Sequence, residues 1–324
     1  MLLQDNIYGT YNIKDPCVEE LVNAPSFQRL KGVWQNGLPP RYLGEKIRNW
    51  TSTRYDHSIG VFLLLRKLGA TYEEQIAGLL HDVSHMAFSH AYDWIMEDYE
   101  HSDAHVHSQD DRHESYVRST ELYEILKKFE LDAEKIIHHT KYPLLDIDVP
   151  GLCADRIDYF LREIPVDEAK RFVSSLTVYK NQIVMRDGGL ALEFAKKFIA
   201  RNRDNWAGYE SASRFHILAR TMRYAMEKGY VVADDFKKTD DFVLEKIETK
   251  KDDEYIKKNL DTLSMDKLSL DVPLTTARTK FRYVDPLFWR NGKLIKLSED
   301  NPEFTKLVED ERKVFTSPIN IYNG

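Results

Sequence analysis

The chain has 324 residues, and 42% of them are hydrophobic, which is enough for one large domain or for one domain with an appendage. The formal net charge of −7 argues against binding nucleic acid or a membrane by bulk attraction, so an anionic substrate would need a local cluster of Arg, Lys and metal. Two cysteines are too few for a disulfide framework. With no signal-peptide pattern and no apolar run long enough to span a membrane, the sequence predicts a cytoplasmic protein.

The first part of the chain predicts short helices followed by longer ones. Residues 16–35 favour two short helices, and the Gly- and Pro-containing residues 36–54 favour a loop. Residues 55–68 carry apolar side chains at helical spacing. Thr71 is a suitable N-cap for the next helix, with Glu74 completing a capping box. We therefore expect two consecutive helices in this part of the chain.

The polar residues 97–114 predict a loop, after which the chain returns to helical patterns. The predicted helices are residues 114–129, 132–140, 150–163, 167–174, 189–204, 207–228, 239–248 and 252–263. A hairpin is predicted over residues 177–187, and another at Asn291-Gly292, a strong two-residue hairpin signal. The predicted fold class is mainly α, with a helical core over residues 1–230 and a small C-terminal helical and β-hairpin region over residues 231–324 packed on it.

The most informative pattern is the pair His81-Asp82 at the end of an apolar helical run. His57 stands at the start of an earlier helix and Asp155 on a later one, each among apolar residues. A buried carboxylate destabilises a protein unless it is paired or bound to metal. Imidazole nitrogens and carboxylate oxygens are good ligands for divalent metals, and bound metals promote the hydrolysis of phosphate esters. These residues therefore predict a metal site with hydrolytic chemistry on phosphates.

Histidines are concentrated around this pair, since eight of the 11 lie between residues 57 and 113. His85 follows His81 by four residues, so the two share one helix face. His90 and Asp93 are three residues apart and could form a hydrogen bond. Because an Asp partner fixes the tautomer of a His and raises its basicity, this pair suits proton transfer.

The order His, His-Asp, Asp and the residues around it resemble the HD-domain deoxynucleoside triphosphate (dNTP) triphosphohydrolases. The matching runs are residues 5–9, 25–30, 53–61, 76–90, 155–160 and 200–202. Weaker similarity extends the resemblance over residues 1–260. The resemblance implies a helical bundle of the HD type and a homo-oligomer. The implied metal ligands are His57, His81, Asp82 and Asp155.

The same resemblance implies roles for individual side chains near the metal. The implied catalytic residues are His85, His90, Asp93 and His113. The implied substrate contacts are Gln35, Arg54, Arg156, Tyr159, Arg201 and Tyr209. The three arginines would bind the triphosphate, whereas Tyr159 would pack on the sugar and Gln35 would contact its 3′-hydroxyl. Guanidinium groups suit phosphate oxygens because their forked donors match them geometrically.

The implied reaction is hydrolysis of a dNTP to a deoxynucleoside and inorganic triphosphate, with His90 protonating the leaving 5′-oxygen. Mixed nitrogen and carboxylate ligation suits Mn, Fe, Co, Ni or Zn, and Mg could accompany the phosphates. Asn23 and Lys31 replace residues that read an activating nucleotide in vertebrate members of the family, so nucleotide activation is not implied.

Other functions stay open on the sequence alone. The site would also suit an HD phosphohydrolase acting on a nucleoside monophosphate, a cyclic nucleotide or an alarmone. A weakly active nucleotide-binding regulator would keep the pocket, but it would not need the proton donor His90. A nuclease has weak support, because the net charge is negative and the sequence has no basic-aromatic stripe.

Overall fold

Helices make up most of the structure, a computed structural model that describes residues 1–96, 109–138, 141–269 and 274–322. The helices are α1 Pro16–Asn23, α2 Pro25–Gln28, α3 Glu45–Arg48, α4 Arg54–Leu68, α5 Tyr72–Leu80, α6 Ala91–Met96, α7 Gln109–Arg118, α8 Glu121–Lys128, α9 Ala133–Ile136, α10 Ala154–Leu161, α11 Val166–Ser175, α12 Gly188–Arg201, α13 Tyr209–Glu227, α14 Asp240–Glu248, α15 Glu254–Leu263, α16 Leu297–Asp300 and α17 Pro302–Val314. The strands are β1 Leu2–Asp5, β2 Gly9–Asn12, β3 Leu176–Tyr179, β4 Gln182–Met185, β5 Leu274–Ala277, β6 Leu287–Arg290, β7 Lys293–Lys296 and β8 Ile319–Tyr322. The mainly α prediction with a small C-terminal β part is confirmed. Within the described ranges, none of these helices combines the length and apolar character needed to cross a membrane.

Where the chain is described, its strands form small sheets rather than one large one. β1 and β2 form an antiparallel hairpin that the sequence did not predict. β6 and β7 form the hairpin predicted at Asn291-Gly292, where both residues have positive φ angles (51° and 75°), as a type I′ turn requires. Because β6 also pairs in parallel with β4, this sheet has the order β3-β4-β6-β7. The last strand, β8, pairs with β5 and packs against α13.

The core of the described chain has two apolar clusters. The first joins α4, α5, α10 and α12 with the N-terminal strands. The second joins α6, α13, α14 and α15 with residues 38–47. Helix α4 is buried from His57 to Leu65, because its sequence is apolar on every side rather than along one stripe. Both α5 and α10 pack on α4, so three helices meet where the predicted metal ligands lie. The domain boundary at residue 230 stays a prediction.

The predicted capping box at Thr71 is only half formed. Thr71 Oγ1 accepts a hydrogen bond from Glu74 N, but the buried Glu74 carboxylate accepts one from Leu144 N (2.7 Å) instead of returning to the cap. The complete capping box lies at the start of α4, between Thr53 and Asp56. It fixes the first turn of the helix that carries the first predicted ligand.

Two predicted loops contain helices. The prediction of a loop over residues 97–114 is wrong at its end, because α7 begins at Gln109; the predictions for residues 97–108 lie outside the described residues. The segment 36–54 contains α3 and a short 3₁₀ turn at Pro40–Tyr42. Isolated Gly and Pro residues indicated a loop here, but the chain uses Pro40 as the first residue of a helical turn.

Candidate metal centre and adjoining cavity

Three helices bring the predicted metal ligands together. His57 lies in the first turns of α4, His81 and Asp82 directly follow α5, and Asp155 lies in the first turn of α10. His57 Nε2 lies 3.2 Å from His81 Nε2 and 2.9 Å from Asp155 Oδ1. The Asp82 carboxylate lies 3.6 Å from His57 Nε2 and 3.5 Å from His81 Nε2. We call these four residues the metal cluster.

The outer nitrogens of both imidazoles are held by protein acceptors. His57 Nδ1 donates to Asp158 Oδ2 (2.7 Å), and His81 Nδ1 donates to Gly78 O (2.8 Å). This arrangement fixes the tautomers and leaves the two Nε2 lone pairs facing each other. Facing lone pairs repel unless a cation lies between them, so the donor set fits a divalent metal.

Burial and hydrogen bonding shift the pKa of His57 in opposite directions. Burial lowers the pKa of His57, but hydrogen bonds with Asp155 and Asp158 more than offset this effect and raise its pKa to about 9. The acidic side chains therefore stabilise positive charge at this point, whether a proton or a metal supplies it.

Arg54 anchors Asp82 and leaves one nitrogen free. Its Nη1 donates to Asp82 Oδ2 (2.7 Å), and its Nε donates to Ser89 Oγ (3.1 Å). Its Nη2 is buried, with no hydrogen-bond partner among the residues described. His85 Nε2 lies 3.2 Å from the other oxygen of Asp82, so this carboxylate is held by a side chain at each oxygen.

The metal cluster opens into a cavity of about 340 Å³, which we call the metal chamber. It is lined by the predicted ligands His81, Asp82 and Asp155, by the basic residues Arg54, Arg156, Lys280 and Arg282, and by Asp146, Val149 and His85. A smaller cavity of about 120 Å³, the second chamber, is lined by Asn36, Glu163, Asn205, Trp206, Ser211 and Phe215. Four residues line both chambers: Gln35, His90, Tyr159 and Arg282. The two chambers therefore adjoin, with these four residues at their junction.

The pair His90 and Asp93 is close but does not form a hydrogen bond. His90 Nδ1 lies 4.0 Å from Asp93 Oδ2, and Asp93 Oδ1 accepts a hydrogen bond from Arg112 Nη2 (3.1 Å). The His90 side chain is 54% exposed and meets the His85 ring edge to face, with centroids 5.2 Å apart. His90 can therefore reach a ligand in either chamber.

Other predicted residues lie farther from the metal cluster or are already engaged. His113 is buried on α7, where its Nδ1 lies 3.3 Å from Ser84 Oγ. Arg156 lines the metal chamber, but its two terminal nitrogens donate to the carbonyls of Gly151 (2.6 Å) and Ile147 (3.0 Å). Engagement of this kind lowers its capacity to bind phosphate.

Two further predicted contacts line neither chamber in the described part of the chain. The Arg201 guanidinium lies over the Trp50 ring, 5.6 Å from its centroid. The Tyr209 hydroxyl donates to Ser269 O (2.5 Å). Of the predicted substrate contacts, Gln35, Arg54, Arg156 and Tyr159 are the ones that the structure brings to the cavities.

Sequence reasoning missed Asp158 and the basic pair Lys280 and Arg282. Asp158 follows Asp155 by three residues on α10, a spacing that puts both on one helix face and could have indicated a second carboxylate behind the metal. Lys280 and Arg282 alternate with apolar residues, so they share one side of an extended chain. Their position at the chambers depends on long-range packing and leaves no local signal.

A helical core that carries the predicted ligands in the order His, His-Asp, Asp at a solvent-accessible cavity is typical of the HD class. A family model for the HD domain matches residues 54–163. The chain is 33% identical over 326 residues to the uncharacterized protein YdhJ of Bacillus subtilis, covering 95% of each. It is 31% identical over 244 residues to the metal-dependent phosphohydrolase cns2 of Cordyceps militaris, covering 71% of this chain and 68% of that protein. The chain therefore belongs to the HD-domain family.

Solved structures show the same fold at low sequence identity. A hypothetical protein from Aquifex aeolicus has a TM-score of 0.64 and 21% identity, covering 99% of this chain and 94% of that one. A phosphohydrolase from Bacteroides thetaiotaomicron has a TM-score of 0.66 and 17% identity, covering 93% and 94%. The fold extends over nearly the whole chain, including the C-terminal region that follows the HD match.

Proposed function

We propose that this protein is a metal-dependent phosphohydrolase that cleaves dNTPs to a deoxynucleoside and inorganic triphosphate. The observation that supports the proposal is the position of His90 at the junction of two chambers of different chemistry. One chamber contains the metal cluster and basic side chains, and the other contains aromatic rings and amides. A nucleotide has the same two halves, joined at the bond that would be cleaved.

The metal chamber suits the phosphate half. Its four ligands, His57, His81, Asp82 and Asp155, would hold a divalent metal, which when bound supplies an activated water and polarises a phosphoryl oxygen. Arg54 Nη2 is buried, without a hydrogen-bond partner among the described residues, while the remainder of its guanidinium is fixed by Asp82 and Ser89. A donor held in this way can bind a phosphate oxygen with little loss of side-chain freedom.

The second chamber suits the nucleoside half. The Tyr159 and Trp206 rings meet edge to face at 5.1 Å and offer an apolar surface to a sugar or base. Gln35 Oε1 and Asn36 Nδ2 are buried without partners in the described chain, and such atoms destabilise a protein unless a ligand or water satisfies them. A hydroxyl or ring nitrogen of a nucleoside would supply those hydrogen bonds.

His90 lies where the bond between the two halves would be broken. Its ring lines both chambers and is half-exposed, so it can donate a proton to the 5′-oxygen as the nucleoside leaves towards the second chamber. Desolvation of the ring and the positive charge of Arg54 hold the pKa of His90 well below its ordinary value, so the negative charge of a bound phosphate would have to favour the protonated ring.

A second candidate is hydrolysis of a nucleoside monophosphate. It is favoured by the engagement of Arg156 with main-chain carbonyls and of Arg201 with Trp50, which leaves fewer cations for a triphosphate. The nucleoside half would bind in the same chamber, and only the length of the phosphate chain would differ.

The test is product analysis with the Mn-loaded full chain and a panel of dNTPs and nucleoside monophosphates. We expect deoxynucleoside and inorganic triphosphate from dNTPs, and no turnover by His81→Ala or Asp82→Ala. His138→Ala alters a half-exposed histidine that pairs with Glu114 and lines neither chamber, so it is the matched control and should keep full activity. Orthophosphate from monophosphates alone would favour the second candidate, and unchanged turnover by both site variants would contradict the assignment of the site.

A further inference from the structure

The segment of residues 278–286 has no regular secondary structure, yet it is fixed across the junction of the chambers. Arg282 N donates to Asn202 Oδ1 (3.2 Å), and Asp285 N donates to Pro150 O (2.9 Å). Val284, between them, is fully buried. The backbone is therefore attached on one side to the π-helical turn Asn202–Trp206 and on the other to the turn that precedes α10. A π-helical turn beside a cavity is a frequent feature of functional sites.

Arg282 projects from this fixed backbone into both chambers. Its side chain is half-buried and lines the junction with Gln35, His90 and Tyr159. Within the described chain its guanidinium forms no hydrogen bond or ion pair. By contrast, the Arg156 guanidinium in the same cavity donates to two carbonyls. Arg282 is thus a cation with its donors uncommitted at the point where the scissile bond would lie.

The charge balance around this point explains what Arg282 could bind. The carboxylates of the metal cluster are engaged by His57, by Arg54 and by the metal they would hold. An uncommitted guanidinium at the junction therefore attracts an anion from solution rather than one of these side chains. Its forked donors match two oxygens of a phosphoryl group, a geometry that an ammonium group does not reproduce.

We propose that Arg282 is a substrate-binding residue that contacts the phosphoryl group next to the scissile bond, so that the segment 278–286 is part of the active site. The proposal deepens the proposed function and rests on it for the position of that phosphoryl group. The residue was not indicated by the resemblance to the dNTP triphosphohydrolases, which ends before this segment.

The experiment measures binding rather than turnover, by calorimetric titration of the Mn-loaded full chain with sodium tripolyphosphate and, separately, with deoxyadenosine. Because a hydrogen bond to a charged group is stronger than one between neutral groups, Arg282→Gln should weaken tripolyphosphate binding by about tenfold or more. Arg282→Lys should bind with intermediate affinity, since it keeps the charge and loses the fork. Deoxyadenosine binding should change by less than about twofold in all variants.

Arg290→Gln is the matched control, because Arg290 lies on the C-terminal hairpin and pairs with Asp300 on the surface. It should bind tripolyphosphate like the unaltered chain. The proposal would be overturned if Arg282→Gln bound tripolyphosphate as tightly as the unaltered chain does. It would also be overturned if the substitution weakened the binding of tripolyphosphate and of deoxyadenosine equally. If Arg282→Gln does not fold, Arg282→Lys provides the test. Unchanged tripolyphosphate binding by that variant would also overturn the proposal. Failure of dNTP turnover would contradict the proposed function but leave this binding result intact.

Discussion

The metal cluster and the second chamber differ in how far their polar atoms are already satisfied. In the metal cluster, the outer nitrogens of His57 and His81 and both oxygens of Asp82 have protein partners. In the second chamber, Gln35 Oε1 and Asn36 Nδ2 are buried with no partner in the described residues. The first region is thus prepared for an ion, whereas the second contains buried polar atoms that a ligand would satisfy.

The largest expected effect comes from removing the hydrogen-bond partner of one predicted metal ligand. Asp158→Asn removes the charge that accepts from His57 Nδ1, without changing a ligand. Because partners of this kind orient and polarise metal ligands, we expect the affinity for Mn to fall by about 10–100-fold. Deoxynucleoside binding should stay unchanged. Metal titration of the apo protein is the measurement, with the exposed Asp261→Asn as control. If Asp158→Asn bound Mn as tightly as the unaltered chain, the assignment of His57 as a metal ligand supported by Asp158 would be contradicted.

A second prediction perturbs the same support through the backbone. Gly60 lies on α4, where an added Cβ would collide with Arg162 Nη2 and Asp158 Oδ1. Overpacking of this kind lowers stability by about 1–3 kcal/mol, so Gly60→Ala should lower the free energy of unfolding by that amount and weaken metal binding as well. Urea unfolding and metal titration measure the two effects.

The control for this substitution is Gly189→Ala. Its Cβ would meet only Asp187 Oδ1, at 3.2 Å, and Gly189 lines neither chamber. Metal affinity that is unchanged in both variants would show that the contact between Asp158 and His57 tolerates displacement.

The third prediction concerns the second chamber. Glu163 accepts hydrogen bonds from Asn205 Nδ2 (2.8 Å) and Trp206 Nε1 (2.9 Å), and so fixes two of the chamber's walls. Glu163→Gln weakens both bonds, and we expect a rise of about fivefold in the KM for the nucleotide with unchanged Mn content. The control is Glu168→Gln, which alters a partly buried ion pair with Lys197 and a residue that lines neither chamber. A fall in Mn content with no change in KM would contradict the assignment of metal binding to the metal cluster and of nucleoside binding to the second chamber.

A further prediction concerns the dependence of stability on pH. Asp240 is buried on α14 and accepts from Phe88 N (2.8 Å) and Trp34 N (3.0 Å), which precede the junction residues His90 and Gln35 in the chain. Burial raises the pKa of Asp240 to about 7 despite these bonds and despite the charge of Arg29, with Asp241 contributing in the same direction as burial.

The sign follows from this raised pKa. The folded state keeps a proton that the unfolded chain loses near its ordinary pKa of about 4, so this contribution to stability is full below pH 4 and is lost as pH rises towards 7. The free energy of unfolding of the unaltered chain, relative to Asp240→Asn, should therefore fall between pH 4 and 8. Asp241→Asn, exposed and paired with Arg41, should show a smaller change. A difference that is flat with pH would contradict the prediction.

The difference between the regions also explains what the sequence could predict. The metal cluster could be proposed from the sequence because each predicted ligand sits at a helix end or in a first turn within a short apolar pattern. The second chamber combines Gln35, Asn205 and Arg282, which lie on segments that pack together only in the folded chain. No periodicity connects such residues, so the sequence alone identified only those that the resemblance indicated.

Local predictions failed where tertiary contacts were stronger than local ones. Glu74 leaves the expected capping box because its buried carboxylate accepts from Leu144 N on another segment. Asp93 lies closer to Arg112 than to His90, the partner that the spacing favoured. In both cases the spacing was right for a local bond, and a distant donor in the fold took its place.

The central claim is that the two chambers bind the two halves of one nucleotide, with cleavage between them. The most direct test is mass spectrometry of the products formed from a dNTP in heavy-oxygen water by the Mn-loaded protein. Attack at the phosphorus next to the nucleoside predicts one heavy oxygen in inorganic triphosphate and none in the deoxynucleoside. Heavy oxygen in the deoxynucleoside, or release of pyrophosphate or orthophosphate in place of triphosphate, would contradict it.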